Sequence, residues 1–317
     1  MKTGLLKKTI SILAAAAMIV TVAGCSREVE SSSSGSSSTS SSVSSSKSSS
    51  KSSSSSEAPD LPEIPVQDNL SKVAEAVGIN DDVGGYLYIP DTEVDEPVVC
   101  AENYSDAKTF YATYDTTSNR LDWKKESTGN GGTGALYFHP NANLSSREEL
   151  SPNVVIFGHN IGRTDPSVPY YSVTLTDTPD GPKFGQLYKY LDEKFATEHP
   201  YIYLSTEQDN LIYQVFAVFW TEAETTPKYY SSNLSSEDAL TVAKDAVERS
   251  EWIYNDVELE EGDKFLTLST CTYSFTTDVH AAEAYRFVVM GKLLPEEAHG
   301  EATADITKNE SPKEPQV

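Results

Sequence analysis

The run Phe265-Leu266-Thr267-Leu268-Ser269-Thr270-Cys271-Thr272-Tyr273 constrains the chain more than any other stretch. It is apolar and β-branched, with Phe265, Thr267 and Ser269 alternating against Leu266, Leu268 and Thr270, as in a strand of a mostly buried sheet. The cysteine falls where the strand runs out, and there a rigid scaffold can present a reactive thiol. Two other strand-like runs carry chemistry at their edges. Val154-Val155-Ile156-Phe157 ends in Gly158-His159-Asn160, and Tyr285-Arg286-Phe287-Val288-Val289-Met290 has an arginine near its start. A thiol, an imidazole and a guanidinium supply a nucleophile, a proton carrier and an anion stabiliser.

Before these strands comes an export signal over residues 1–24. Lys2, Lys7 and Lys8 form a basic start, and the apolar core from Ile10 to Val22 is short for a bilayer span. It ends in Thr21-Val22-Ala23-Gly24-Cys25, small residues directly before a cysteine. That pattern resembles a bacterial lipobox, which predicts lipidation of Cys25 and anchoring at the outer face of the cytoplasmic membrane. Residues 25–58 are nearly all serine, with too little to bury to offset the entropy of ordering, and read as a flexible linker. A Pro-rich stretch from Pro59 to Pro65 continues it.

The folded part spans 59–294, about 220 residues from Asn69 onward, an ordinary size for one domain. Leu70, Val73, Ala74, Ala76 and Val77 predict a short helix stopped near Gly78. Strands are expected at Gly85–Ile89, Pro97–Cys100 and Gly134–Phe138, and Asn103 to Asn130 shows no period. After a Pro/Gly/Asp/Thr-rich stretch from 162 to 181, Phe184, Leu187, Tyr188 and Leu191 mark a helix face. Tyr201–Leu204 and Leu211–Trp220 read as a hairpin turning at Gln208-Asp209-Asn210. Ser235 to Tyr254 reads as one helix capped by Ser235 or Ser236, with Leu240, Ala243, Val247 and Ile253 as its apolar stripe. The charged, proline-bearing segment 295–317 reads as a disordered tail. Strands and helices do not alternate regularly, which disfavours a doubly wound parallel sheet and points to a mainly β fold, a closed barrel with surface helices.

The formal net charge of −24, with no basic stripe, argues against nucleic acid and gives no attraction to anionic lipid. The chain has three cysteines. With Cys25 assigned to lipid, an exported chain admits a Cys100–Cys271 disulfide, although Cys100 ends an apolar run and reads more simply as a small buried hydrophobe. No CxxC or His-rich spacing predicts a metal, and no cofactor is expected.

Taken together, these motifs resemble the class B sortases, cysteine transpeptidases of Gram-positive surfaces. Thr267-Leu268-Ser269-Thr270-Cys271 is similar to the family's TLxTC signature, and Phe157-Gly158-His159-Asn160-Ile161 to its YGHNM segment. Arg286-Phe287-Val288-Val289-Met290-Gly291-Lys292 is similar to its closing strand. Upstream, Gly85-Tyr86-Leu87-Tyr88-Ile89-Pro90-Asp91-Thr92 and Glu96-Pro97-Val98-Val99-Cys100 are similar to the GWI-x-IPGT and YPVVQ segments. The likeness runs from about Leu70 to Leu294.

The resemblance implies a sortase-type β barrel with an N-terminal helical extension, and catalytic roles for Cys271, His159 and Arg286. It also implies exported proteins bearing a C-terminal LPxTG- or NPxTx-like signal as substrates, and a peptidoglycan or pilin amine as acceptor. Thr270 and Asn160 are the expected groove residues. The chain departs from the family in three places. Arg286 lies fifteen positions after Cys271, with residues 276–284 inserted. The loop after His159 is enlarged. A lipid stands where the family usually has a transmembrane segment.

Each residue also has a plainer reading. Cys271 alone would be a buried core thiol, His159 a hydrogen-bonded structural histidine, and Arg286 a snorkelling strand-edge residue. His280 in the inserted loop is a rival proton carrier. His139 and His199, each before a proline, read as turn residues, and His299 lies in the tail. Tyr201, Tyr203 and Tyr213 read as barrel packing. The alternatives to a transpeptidase are a thiol protease that releases surface proteins to water and a non-catalytic binding lipoprotein on the same scaffold.

Overall fold

A computed structural model describes residues 61–100, 134–276, 278 and 281–316. The export signal, Cys25, the serine linker, the segment 103–130 and His280 lie outside the described residues. Eight strands close into a barrel: β1 (Val83–Tyr88), β2 (Asp95–Val99), β3 (Leu136–Phe138), β4 (Asn153–Phe157), β5 (Tyr201–Ser205), β6 (Asn210–Glu222), β8 (Phe265–Cys271) and β9 (Tyr285–Leu293). Around the barrel they run β1-β2-β3-β4-β8-β9-β6-β5, and β5 returns to β1. Two further strands, β7 (Trp252–Tyr254) and β10 (Ile306–Lys308), pair outside it. The expected mainly β closed barrel with a few helices is the fold observed.

β8 is buried along its length up to Thr270 because both of its faces are covered. Leu266 and Leu268 point into the barrel core with Leu87, Leu136, Ile156 and Val289. Phe265 points outward into a second core with Phe216, Phe219, Val288 and Met290, covered by Ala239, Val242, Ala243 and Ala246 of the helix Ser236–Arg249. A strand covered on both sides reads as a continuous apolar run rather than a strict alternation. The shorter helix α1 (Leu70–Ile79) lays Ala76 against Val83, Val99 and Ala135. Helix α2 (Glu193–Glu198) precedes β5, and α3 is the Ser236–Arg249 helix.

Three sequence expectations need correction. The helix read to Tyr254 ends at Arg249, and Ser250 is extended (φ −63°, ψ 138°). Beyond it, Trp252 and Tyr254 are buried while Ile253 is 42 % exposed, the alternation of a strand. The helix face at 184–191 belongs to a 3-10 helix, Lys183–Leu191, whose fully buried Phe184, Leu187 and Tyr190 recur every third residue. Residues 295–316 are ordered rather than a loose tail. Ala298 bonds to Ile64 (2.8 Å), Gly300 to Pro62 (3.0 Å), Ala304 to Thr197 (2.9 Å) and Lys313 to Glu248 (2.9 Å). The hairpin follows expectation, turning through 206–209 into Asn210. Cys100 and Cys271 are not joined in a disulfide.

Candidate active site

The register of three strands brings the three candidate residues to one end of the barrel. β4 and β8 run parallel, from Asn153 opposite Phe265 to Phe157 opposite Ser269. Pairing continues past the strand end: the Gly158 amide donates to the Ser269 carbonyl (3.3 Å), and the Thr270 hydroxyl to the Gly158 carbonyl (2.8 Å). His159 and Cys271 therefore leave the barrel together at one end. β9 runs antiparallel to β8 with Arg286 directly opposite Cys271. Arg286 thus stands beside Cys271 on the neighbouring strand, His159 follows the end of β4 by two residues at the same end of the barrel, and all three are partly exposed. Directly opposed in an antiparallel pair, Cys271 and Arg286 keep their side chains on one face, about 5 Å apart at Cβ.

Gly158 is required by packing. A Cβ there would lie 2.5 Å from Leu136 Cδ2 and 2.7 Å from Phe184 Cδ2. The close approach lets the Phe184 amide donate to the His159 carbonyl (3.0 Å), which fixes the backbone that carries the imidazole. Arg286 is held by its own loop: Nη1 donates to the carbonyls of Glu283 (2.6 Å) and Tyr285 (2.9 Å). Beneath it, Phe287 stacks on Tyr188 with ring centroids 4.1 Å apart.

The two expected groove residues face inward. Thr270 is 2 % exposed with its hydroxyl spent on Gly158, and Asn160 is 4 % exposed. Asn160 Nδ2 donates to the Cys271 carbonyl (3.2 Å) and to Asp177 Oδ1 (2.7 Å), while its Oδ1 accepts from the Gly162 amide (3.0 Å). Both are supports under the site rather than walls of a groove. Thr270 faces in because it alternates with the partly exposed Cys271, and Asn160 because its amide bridges two chain segments.

Asp177 carries no signal in the sequence that singles it out. It arrives from the enlarged loop after His159 and accepts four hydrogen bonds. Its Oδ1 takes Asn160 Nδ2 and the Tyr273 amide (2.9 Å), and its Oδ2 takes the hydroxyls of Thr272 (2.8 Å) and Ser274 (2.7 Å). The two enlarged loops also share a small apolar cluster of Leu175, Tyr273 and Ala282. Tyr273 in turn donates from its hydroxyl to the Asn160 carbonyl (3.3 Å). The Tyr188 hydroxyl is buried beside this group, within electrostatic reach of Asp177, and makes no hydrogen bond of normal geometry. Burial, reinforced by Asp177, holds Tyr188 well above the ordinary tyrosine pKa, and burial pushes Tyr273 up to about 12. Both phenols stay neutral and do not compete for the site's proton. Among the described residues, no group of three or more His, Cys, Asp or Glu side chains could hold a metal ion.

A partly exposed thiol flanked by an imidazole and a guanidinium can attack a carbonyl, move a proton and stabilise an oxyanion. Comparison with known proteins finds relatives with this chemistry. The chain is 28 % identical over 221 residues to sortase B of Listeria monocytogenes, spanning 68 % of this chain and 71 % of that one. It is 22 % identical over 216 residues to sortase B of Staphylococcus aureus, spanning 68 % and 72 %. These likenesses support a class B sortase. Solved class B sortases share its fold. A mutant form of Clostridium perfringens sortase B aligns with a TM-score of 0.54 at 20 % identity, over 72 % of this chain and 88 % of that one. A sortase B complexed with triglycine aligns at 0.53 and 20 %, over 72 % and 87 %. No family model matches the chain. These relatives and structural neighbours are sortases B, which are cysteine transpeptidases.

Proposed function

We propose that this sortase cleaves a C-terminal LPxTG- or NPxTx-like signal of exported proteins and transfers them to an amine of the cell wall or of a pilin subunit. The observation that supports the reading is Arg286 opposite Cys271 in the β8/β9 register, with His159 following β4 where it runs parallel beside β8. In this reading the Cys271 thiolate attacks the carbonyl carbon of the signal threonine. The C–N bond then breaks, and the departing amine takes a proton from His159. The thioester that results keeps the acyl group for a second amine. His159 removes a proton as that amine attacks, the C–S bond breaks, and the thiolate returns. Arg286, opposite Cys271, is assigned to the oxygen that becomes negative, and its planar, permanently charged guanidinium suits that task. A thiolate is nucleophilic enough to need no carboxylate-oriented base. The triglycine complex of a related sortase B supports a glycine-type amine as one acceptor to try.

We also propose that the Cys25 thiol carries a diacylglycerol and holds the enzyme at the outer face of the cytoplasmic membrane, with residues 25–58 as the tether. Among the described residues, no helix is long and apolar enough to cross a membrane. The test of function is product analysis with LPxTG-like and NPxTx-like peptides, with and without triglycine. An amine-linked product that disappears in Cys271→Ala, and falls about 10²–10⁴-fold in His159→Ala, supports the reading. Free acid as the sole product, even with excess amine, makes the protein a thiol protease.

A further inference from the structure

We propose that Asp177 is a positioning residue of the transfer site, its carboxylate fixing where Cys271 stands relative to His159. This rests on the assignment of Cys271 and His159 made above. Three chain segments meet at this one side chain. The first is the exit from β4, through Asn160, the residue after His159. The second is the exit from β8, through Thr272, Tyr273 and Ser274, the three residues after Cys271. The third is the enlarged loop 162–181, which delivers the aspartate. Asn160 closes the figure by donating to both Asp177 and the Cys271 carbonyl.

Past the strand ends, where ladder pairing stops, this tie adds to the Thr270–Gly158 and Asn160–Cys271 bonds in aligning the two residues that must meet. Four donors on one carboxylate, at 2.7 to 2.9 Å, are the strong, charge-assisted kind and hold both exits at fixed height. Two facts indicate that the loop is built for this task. It folds back on itself, with the Thr176 amide on the Gly162 carbonyl (3.0 Å) just before Asp177. Its Leu175 packs on Tyr273 and Ala282, so the enlargement after His159 and the one after Cys271 are seated on each other. Asp177 and Cys271 both bear on the phenols of Tyr188 and Tyr273, which places the carboxylate and the thiol around one group of side chains. The other ionisable groups at these strand ends are His159 after β4, Arg286 on β9 and Arg163 on the loop, and removing the Asp177 charge changes the field in which the thiol titrates among them.

The test compares Asp177→Asn and Asp177→Ala with wild type in the full chain. It uses two readouts: the pH dependence of Cys271 alkylation by iodoacetamide, which needs no peptide, and kcat and KM for the best sorting peptide. Asn keeps the shape and can satisfy the same partners, since both hydroxyls can accept from its amide, but it removes the negative charge beside the thiol. It is therefore expected to move the alkylation midpoint about one pH unit lower while costing little kcat. Ala removes all four bonds and is expected to lower kcat about 10- to 100-fold with KM changed less than about threefold. An unshifted alkylation profile in Asn, or wild-type kcat in folded Ala, overturns the proposal. Because alkylation is independent of peptide, an enzyme that rejects every sorting peptide still reports on Asp177, and the two readings fail separately.

Discussion

His139 shows how a single side chain couples this barrel to pH. It follows β3, and its Nδ1 accepts from the Asn141 amide (3.3 Å), a bond that only the neutral ring can make. Burial holds its pKa below the ordinary 6.5. A depressed basic group contributes stability that is complete above pH 6.5 and is lost as pH falls through the folded-state value. Replacing it by Gln should therefore flatten the fall in urea midpoint below pH 6.5, leaving the midpoint at pH 8 nearly unchanged. At this scale the sequence is legible where chemistry follows a short motif. Cys271, His159 and Arg286 each sit at the edge of an apolar β run. Asp177 is not legible, because it lies in a loop without periodicity, and its four partners are 17 to 97 positions away. Thr270 and Asn160 are neighbours of the site in sequence, yet which way a side chain faces at a strand end depends on the segment packed beside it.

Among the elements, α3 is the clearest case of sequence dictating a boundary. Ser235 Oγ accepts from the Asp238 amide (3.1 Å) and donates to the Asp238 carboxylate (2.8 Å), a reciprocal cap at the helix start. Ser235→Ala should cost about 1 kcal/mol, read as a lower urea midpoint with unchanged slope and unchanged kcat. The C-terminal end escapes the sequence pattern because Trp252, Ile253 and Tyr254 continue the apolar content past Arg249, although Ile253 lies about 120° around a helix from Val247. What stops the helix is Ser250, whose Oγ accepts the Val218 amide (3.0 Å) and the Trp252 amide (3.3 Å). These bonds turn the chain into β7, where Trp252 Nε1 donates to the Tyr190 carbonyl (2.8 Å). The 3-10 helix is legible as a helix but not as a tight one, since spacings of three and four fit both geometries.

Over the whole molecule, the segment after β9 acts as a strap, though its charge and prolines read as disorder. It pairs β10 with β7, sets the Asn309 amide on the Glu251 carbonyl (3.0 Å), and ends with the Gln316 amide on Glu222 Oε1 (2.6 Å). Glu222 is opposite Tyr285, the neighbour of Arg286, so the strap reaches the wall that carries the guanidinium. A chain ending at Leu294 should melt at least about 5 °C lower than one ending at Val317, measured by calorimetry. The central claim of the proposed function is also of this scale: that residues 159, 271 and 286, distant in sequence, act as one acyl-transfer centre because β4, β8 and β9 are neighbours in the barrel. Its most direct test is intact mass of the domain spanning residues 61–317 after incubation with sorting peptides but no amine, followed by peptide mapping. The account predicts an added acyl group on Cys271 that leaves when triglycine is supplied, with no adduct in Cys271→Ala. Turnover of peptide with no acyl group on Cys271, or turnover that survives Cys271→Ala, would contradict it.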